Sequence, residues 1–211
     1  MKPLRFYIFS ALTLSASAAF SQDTDANALI EEALSAAPPE IATNASVHDW
    51  SGNVLRGGYG DWICYPTPPG RGSAKCPMCL DAQWRAFVKA RASGGAFNAD
   101  ATGIAYMLAG DCPVSNVDPN AEGPTAENQW INAEGPHLML LLPDSALLEG
   151  MSTDPYNGRP YVMWKDTPFA HVMVPTAGNH PHRGMMSKTH EEGGHRKARH
   201  GGDGMKHKKE N

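Results

Sequence analysis

Apolar residues in 25–36 recur at helical spacing (Leu29, Ile30, Leu34), which predicts a helix there. Ala37-Pro38-Pro39 should stop it, because proline lacks the backbone donor and restricts the residue before it. From 45 to 65 the pattern shortens to period two. Segments 45–50, 54–56 and 61–65 are separated by Ser51-Gly52-Asn53 and Gly57-Gly58-Tyr59-Gly60, the pattern of an antiparallel meander. A Pro/Gly-rich loop follows over 66–75. Helical spacing returns over 80–92, where Trp84, Phe87, Val88 and Arg91 recur at three and four, and Ser93-Gly94-Gly95 closes the run. Segments 103–108, 136–142, 161–164 and 169–174 read as strands, the last two joined as a hairpin by Lys165-Asp166-Thr167-Pro168. A short helix is expected over 145–149. The stretch 111–128 holds too much Asn, Pro and Gly to be regular and is long enough to be a binding loop. Long helices do not alternate with strands, so a doubly wound parallel sheet is not expected. The pattern predicts a single α+β domain over 22–175: an antiparallel sheet of about five to seven short strands carrying two helices, supported by disulfides.

The two ends fall outside that pattern. Lys2 and Arg5 precede an apolar run from 6 to 16, and Ala16-Ser17-Ala18 and Ala19-Phe20-Ser21 offer small-x-small cleavage sites. Residues 1–21 therefore read as a secretory signal peptide, too short to span a bilayer, and no later stretch predicts a transmembrane span. The expected product is soluble and exported, periplasmic or extracellular. At the other end, 176–211 reads as a disordered tail rich in His, Met and Lys. It carries His180, His182, His190, His195, His200 and His207, six of the nine histidines. Imidazole is the commonest protein metal ligand, so the tail suggests capture of metal ions, while its bland reading is a solvated extension.

Charge separates the two parts. Residues 23–175 hold eighteen Asp and Glu against eight Lys and Arg, a balance of −10, and the tail is +4. An acidic body lacks the clustered cations a phosphate backbone needs, so no nucleic-acid partner is expected.

Four cysteines, Cys64, Cys76, Cys79 and Cys112, are an even number in an exported chain, so disulfides are the default. Three pairings are possible. The favoured one is Cys64–Cys79 with Cys76–Cys112, which ties the Pro/Gly loop to the sheet at both ends. Cys76-Pro77-Met78-Cys79 is also a C-x-x-C expected at a helix start, as in thiol oxidoreductases. Those enzymes place it directly after a buried strand, whereas a Pro/Gly loop precedes it here.

The candidate chemistry of the body is a repeated His-x-Met. His137-Leu138-Met139 and His171-Val172-Met173 each fall within a predicted strand, where residues two apart share a face. If the strands are neighbours, His137, Met139, His171 and Met173 would converge on one site suited to Cu(I), with zinc or nickel as other candidates. Tyr161 and Met163 would join the same wall. Core packing explains the same methionines. A different reading makes His137 and His171 general bases or ligand contacts in a cleft beside Trp130 and Trp164, with Asp111, Asp118 or Asp144 as orienting carboxylates. No nucleophile or cofactor motif names a reaction, and no protein partner is indicated.

Met78-Cys79-Leu80-Asp81, Gly135-Pro136-His137-Leu138-Met139-Leu140 and the 160–173 segment resemble a group of exported bacterial proteins without an assigned activity. The resemblance covers roughly 25–175 and implies one compact domain with Cys64 and Cys79 bridged. Separately, His137-Leu138-Met139-Leu140 is similar to the ligand strand of periplasmic copper-delivery chaperones, although the spacing departs from theirs. Taken together, these features lead to the expectation of an exported metal-binding protein, copper first, with an enzyme or small-ligand binder as the alternative.

Overall fold

Segments with period two pair into one long sheet, and the two helical patterns cover its opposite faces. The computed structural model describes residues 17–132 and 134–176. Most of the expected leader and all six tail histidines lie outside those residues. The helices are α1 (Ser17–Leu34), α2 (Pro39–Ala42) and α3 (Ala82–Ala92), with a 3-10 turn at Ser145–Leu148. The strands are β1 (Ser46–His48), β2 (Val54–Arg56), β3 (Ile63–Tyr65), β4 (Met78–Leu80), β5 (Gly103–Met107), β6 (Val114–Ser115), β7 (Trp130–Ile131), β8 (His137–Leu141), β9 (Tyr161–Met163) and β10 (His171–Pro175). Eight of them form one sheet in the order β2-β1-β3-β4-β5-β8-β10-β9, and β6 pairs with β7 as a separate ribbon.

The α+β class agrees with the pattern, and four details differ. The main sheet has eight strands rather than five to seven. The first three do not form a meander: β1 sits between β2 and β3 and runs parallel to β3, with Val47 opposite Cys64. Three α-helices occur among the described residues rather than two, because Pro39 begins α2. Proline suits a first helical turn, where its missing donor costs nothing. Finally, Met78–Leu80 is a strand, and the helix begins only at Ala82. Asp81 draws that boundary: its Oδ1 accepts the Trp84 N–H at 2.9 Å as an N-cap, and its Oδ2 accepts the Ile104 N–H at 2.6 Å from β5. The C-x-x-C therefore straddles a strand start, and both of its cysteines are bonded elsewhere.

Register sorts the side chains onto two faces. On one lie Leu80, Ala105, Met107, Met139, Leu141, Met163 and Met173, under Trp84 and Phe87 of α3. On the other, Cys64 and Cys79 stand directly opposite each other in β3 and β4 and pack with Val47 beneath Ala33, Ala36 and Ala37, at the end of α1 and just beyond it. Further along that second face, Val162 and Val172 pack on Leu148 of the 3-10 turn. The Cys64–Cys79 bridge thus staples the α1 side, while Cys76–Cys112 ties the end of the Pro/Gly loop to the segment before β6 on the α3 side. Glu32 of α1 holds the same loop from the other side, through Lys75 at 2.7 Å and the Thr67 N–H at 3.2 Å.

Loop closure of 15 residues by Cys64–Cys79 contributes about 3 kcal/mol, and of 36 residues by Cys76–Cys112 about 4 kcal/mol, on chain-entropy grounds. Cys64→Ala with Cys79→Ala, and separately Cys76→Ala with Cys112→Ala, should lower the urea midpoint by amounts of that order. Equilibrium denaturation followed by tryptophan fluorescence checks it.

Candidate functional site

β10 runs antiparallel between β8 and β9, with Met173 opposite both Met139 and Tyr161, and His171 opposite Met163. His137 stands opposite Pro175, four residues from His171 along β10. At the rise of a β-strand this offset is roughly 13 Å. The four His-x-Met side chains therefore share one face, as the alternation requires. The methionines meet in the middle and the imidazoles sit at opposite ends.

Each imidazole is oriented in the same way. His137 Nδ1 lies 2.7 Å from the Gly135 carbonyl, and His171 Nδ1 lies 2.9 Å from the Phe169 carbonyl. A carbonyl oxygen only accepts, so Nδ1 donates to it in both rings, and in the neutral ring of His171 Nε2 is left as an acceptor. In both cases the partner is two residues upstream, where a turn delivers the chain into the strand.

His171 closes the inner end of a cavity of about 140 Å³ beneath α3. Its ring meets Trp84 and Trp164 edge-on at 5.1 and 5.0 Å, and Phe87 at 5.8 Å. Met78, Met107, Met139 and Met163 supply thioethers to the walls, with the Cys76–Cys112 bridge beside them. Burial, reinforced by the charges of His137 and Arg91, pushes the His171 pKa down to about 4. The ring is therefore neutral at ordinary pH. Arg71 and Arg91, both exposed residues, line the outer part of the cavity, and the Arg91 guanidinium lies over the Trp164 ring at 5.0 Å.

Trp164 is held in an uncommon backbone conformation, with φ of 55°. A bulky residue in the left-handed region costs on the order of 1–3 kcal/mol and persists only where its surroundings enforce it. Here its backbone N–H donates to the Asn116 carbonyl and its indole N–H to the Ser115 carbonyl, both at 2.8 Å. The segment expected to be irregular, 111–128, thus contains β6, which pairs with β7 just beyond it, and that ribbon fixes one wall of the cavity.

A second group of ionisable residues sits at the His137 end. Gly110, at φ of 102°, turns the chain so that the Asp111 N–H donates to the Glu134 carbonyl at 3.1 Å. Burial raises the Asp111 carboxyl, opposed by the charges of His137 and Arg71 and by the Cys112 N–H bonded to Asp111 Oδ1. Glu134, 4% exposed, is pushed up to about 7 by burial and by the nearby Asp111 charge, against a hydrogen bond from Tyr161. The Tyr161 hydroxyl is itself raised, by burial first and then by Glu134 and Asp111. Asp111 also lines the cavity, so the two groups adjoin.

Of the carboxylates considered from the sequence, Asp111 is placed near His137. Asp118 acts on Arg91, and Asp144 caps the 3-10 turn through the Ala146 N–H at 2.9 Å. Trp164 is a cavity wall as expected, but Trp84 rather than Trp130 stands beside it. Glu134, Arg71 and the pairing of Trp84 with His171 were not anticipated, because each depends on contacts between distant segments. Among the described residues, no three or more His, Cys, Asp or Glu side chains gather as metal ligands.

Opposite shifts on Glu134 and His171 predict a compensated stability profile. Glu134, raised from 4.5 to about 7, binds its proton more tightly in the folded state and costs stability as pH rises across that interval. His171, lowered from 6.5 to about 4, costs stability as pH falls across its own interval. Between pH 4.5 and 6.5 the two slopes cancel. Glu134→Gln should therefore gain stability relative to wild type as pH rises from 4.5 to 7, by roughly 3 kcal/mol in total. His171→Gln should gain relative to wild type as pH falls from 6.5 to 4. Urea unfolding of the three proteins across pH 4–8 reads both differences, and parallel profiles would refute the assignment.

No family model, no curated protein and no solved structure matches this chain, so a functional reading has to come from the site's own geometry.

Proposed function

We propose that the chain is an exported binding protein whose body accepts a small, flat, largely apolar organic molecule in the cavity beneath α3. The observation that carries this reading is the setting of His171. One imidazole, with its Nδ1 proton committed to Phe169, offers Nε2 as a hydrogen-bond acceptor among Trp84, Phe87 and Trp164. An apolar cavity with one oriented polar group is the usual form of a small-molecule site. The ligand should carry an N–H or O–H donor for that nitrogen. Two disulfides are compatible with export to an oxidising compartment.

Copper is the second reading, favoured by the thioethers of Met78, Met107, Met139 and Met163 around the same imidazole. Thioether and imidazole suit Cu(I), and a ligating histidine commonly donates its other ring N–H to a carbonyl. A shell built on His171 would take Met139 and Met163, with His137 too far along the sheet to share the ion and Met173 packed between the two. Against it stands the local field: Arg91 and His137 already disfavour positive charge at His171. The organic ligand therefore takes precedence for the body, and metal-ion capture is assigned to the tail histidines.

The full chain with its six tail histidines changed to Asn separates the readings. On titration with p-cresol, protection should appear as tryptophan fluorescence change and a raised melting temperature, and His171→Leu should weaken binding at least tenfold. Titration with Cu(I) against a chromophoric chelator should show no high-affinity site in that protein. A tight 1:1 Cu(I) site lost in His171→Leu and Met163→Leu, without p-cresol binding, would replace the organic reading with the copper one.

A further inference from the structure

Two arginines stand together at the mouth of this cavity in a body whose balance is −10. Among the described residues the one ion pair within 4 Å is Lys75–Glu32, so neither Arg71 nor Arg91 belongs to one. Arg91 is anchored by other means: its guanidinium stacks on Trp164 at 5.0 Å and donates to the Pro119 carbonyl. Burial and the neighbouring Arg71 charge both pull it below the usual arginine range, whereas Asp118 opposes them. Like charges held side by side raise each other's energy, and a bound anion removes that cost. Asp111, the carboxyl that lines the cavity with them, is raised by burial, which weakens its hold on a negative charge.

The distance between the two recognition groups sets an upper limit on the ligand's length. The His171 ring and the Arg91 guanidinium carbon each lie 5.0 Å from the Trp164 ring, so they are at most 10 Å apart. That span fits one aromatic ring between a hydrogen-bond donor and an acid group. A longer chain would carry the acid past Arg91 into solvent, and a bare ring would leave the arginines unanswered.

We infer that the cavity selects a small aromatic carboxylate bearing a hydroxyl or amino group, its donor bonded to His171 Nε2 and its carboxylate held by Arg91 and Arg71 at the mouth. The inference rests on the cavity reading above and adds the charge and length of the ligand. Trp84 and Trp164 flank the ring, the neutral imidazole accepts the donor, and the guanidinium fork of Arg91 matches a carboxylate better than a point charge would. Arg71, which is exposed, supplies long-range attraction and a second contact.

The test uses the full chain with tail histidines changed to Asn and four probes read by calorimetry: 3-hydroxybenzoate, its neutral isostere 3-hydroxybenzamide, p-cresol and benzoate. The acid should bind at least tenfold more tightly than the amide, and 500 mM salt should shrink the difference, since rim charges are screened at about 3–8 Å in that range. Arg71→Gln should reduce acid binding several-fold and lower the ratio of acid to amide affinity, and an unchanged ratio would count against the arginine contact. Benzoate, which lacks the donor, should bind more weakly than 3-hydroxybenzoate in wild type and equally in His171→Leu. Equal affinity for acid and amide overturns anion selection while p-cresol binding keeps the cavity reading. Failure of all four probes overturns both.

Discussion

The pairing of β10 with β8 on one side and β9 on the other places nearly every chemically distinctive side chain of the body. His171 faces Met163, and Met173 faces both Met139 and Tyr161. Slipping β10 by one residue would turn His171 and Met173 to the opposite face, against Leu148, and bring Val172 and Val174 under α3. A slip would have to repack both faces, because β9 and the first half of β10 are buried at every position. Both of the faces are apolar, however, so hydrophobicity alone discriminates weakly between the two registers. The tight link through Trp164 and Asp166, each at positive φ, adds the missing specification by fixing where the hairpin turns.

That same turn joins the sheet to the cavity. Trp164 leaves β9, adopts a conformation unfavourable to its side chain, and is bonded at two points to the β6–β7 ribbon. Asn116 reinforces the joint with bonds to Gln129 and Thr153 at 2.8 and 2.9 Å. An indole held in this way cannot relax into the cavity and fill it. Nor can Trp84, whose ring N–H is bonded to the Met139 carbonyl at 3.2 Å. The space beneath α3 persists because its largest walls are tied to backbone on either side.

Much of this arrangement was legible in the sequence, and its omissions have physical causes. Alternation located β5, β8, β9 and β10, put His137 with Met139 and His171 with Met173 on one face, and the favoured cysteine pairing is the one found. β4 does not read as a strand, and its last residue reads as the helix start, because Met78, Cys79 and Leu80 are apolar on both faces and carry no period, and only the double bonding of Asp81 marks the boundary. The parallel β1–β3 pair was hidden because local turn residues report chain reversal but not which side of a strand the next one joins. The β9–β10 hairpin was readable, but the pairing of β8 with β10 stood only as a condition and its register was not readable, so the expected convergence of four ligands became two imidazoles at opposite ends of a methionine pair. Glu134 and Arg71 carried no signal at all. A lone charged residue in a loop acquires meaning only from what folding brings beside it.

Thioethers alone do not make a metal site. Methionine is also the side chain that best fills an irregular apolar space against aromatic rings, since sulfur is polarizable and the chain flexible. The decision between the two uses belongs to the field. A monovalent cation brought to His171 would approach Arg91 across a single indole ring, within a cavity whose low dielectric strengthens the repulsion. An organic anion entering the same space gains from both arginines and loses nothing to the neutral imidazole. Under that proposal the methionines would serve as a compliant wall around a flat ring, and the polar groups at the two ends of the cavity would set its direction. Under the proposed reading the His-x-Met repeat is half chemistry and half packing: His171 would read the ligand, Met139 and Met163 would shape the space around it, and His137 lies beside Asp111, away from the ligand.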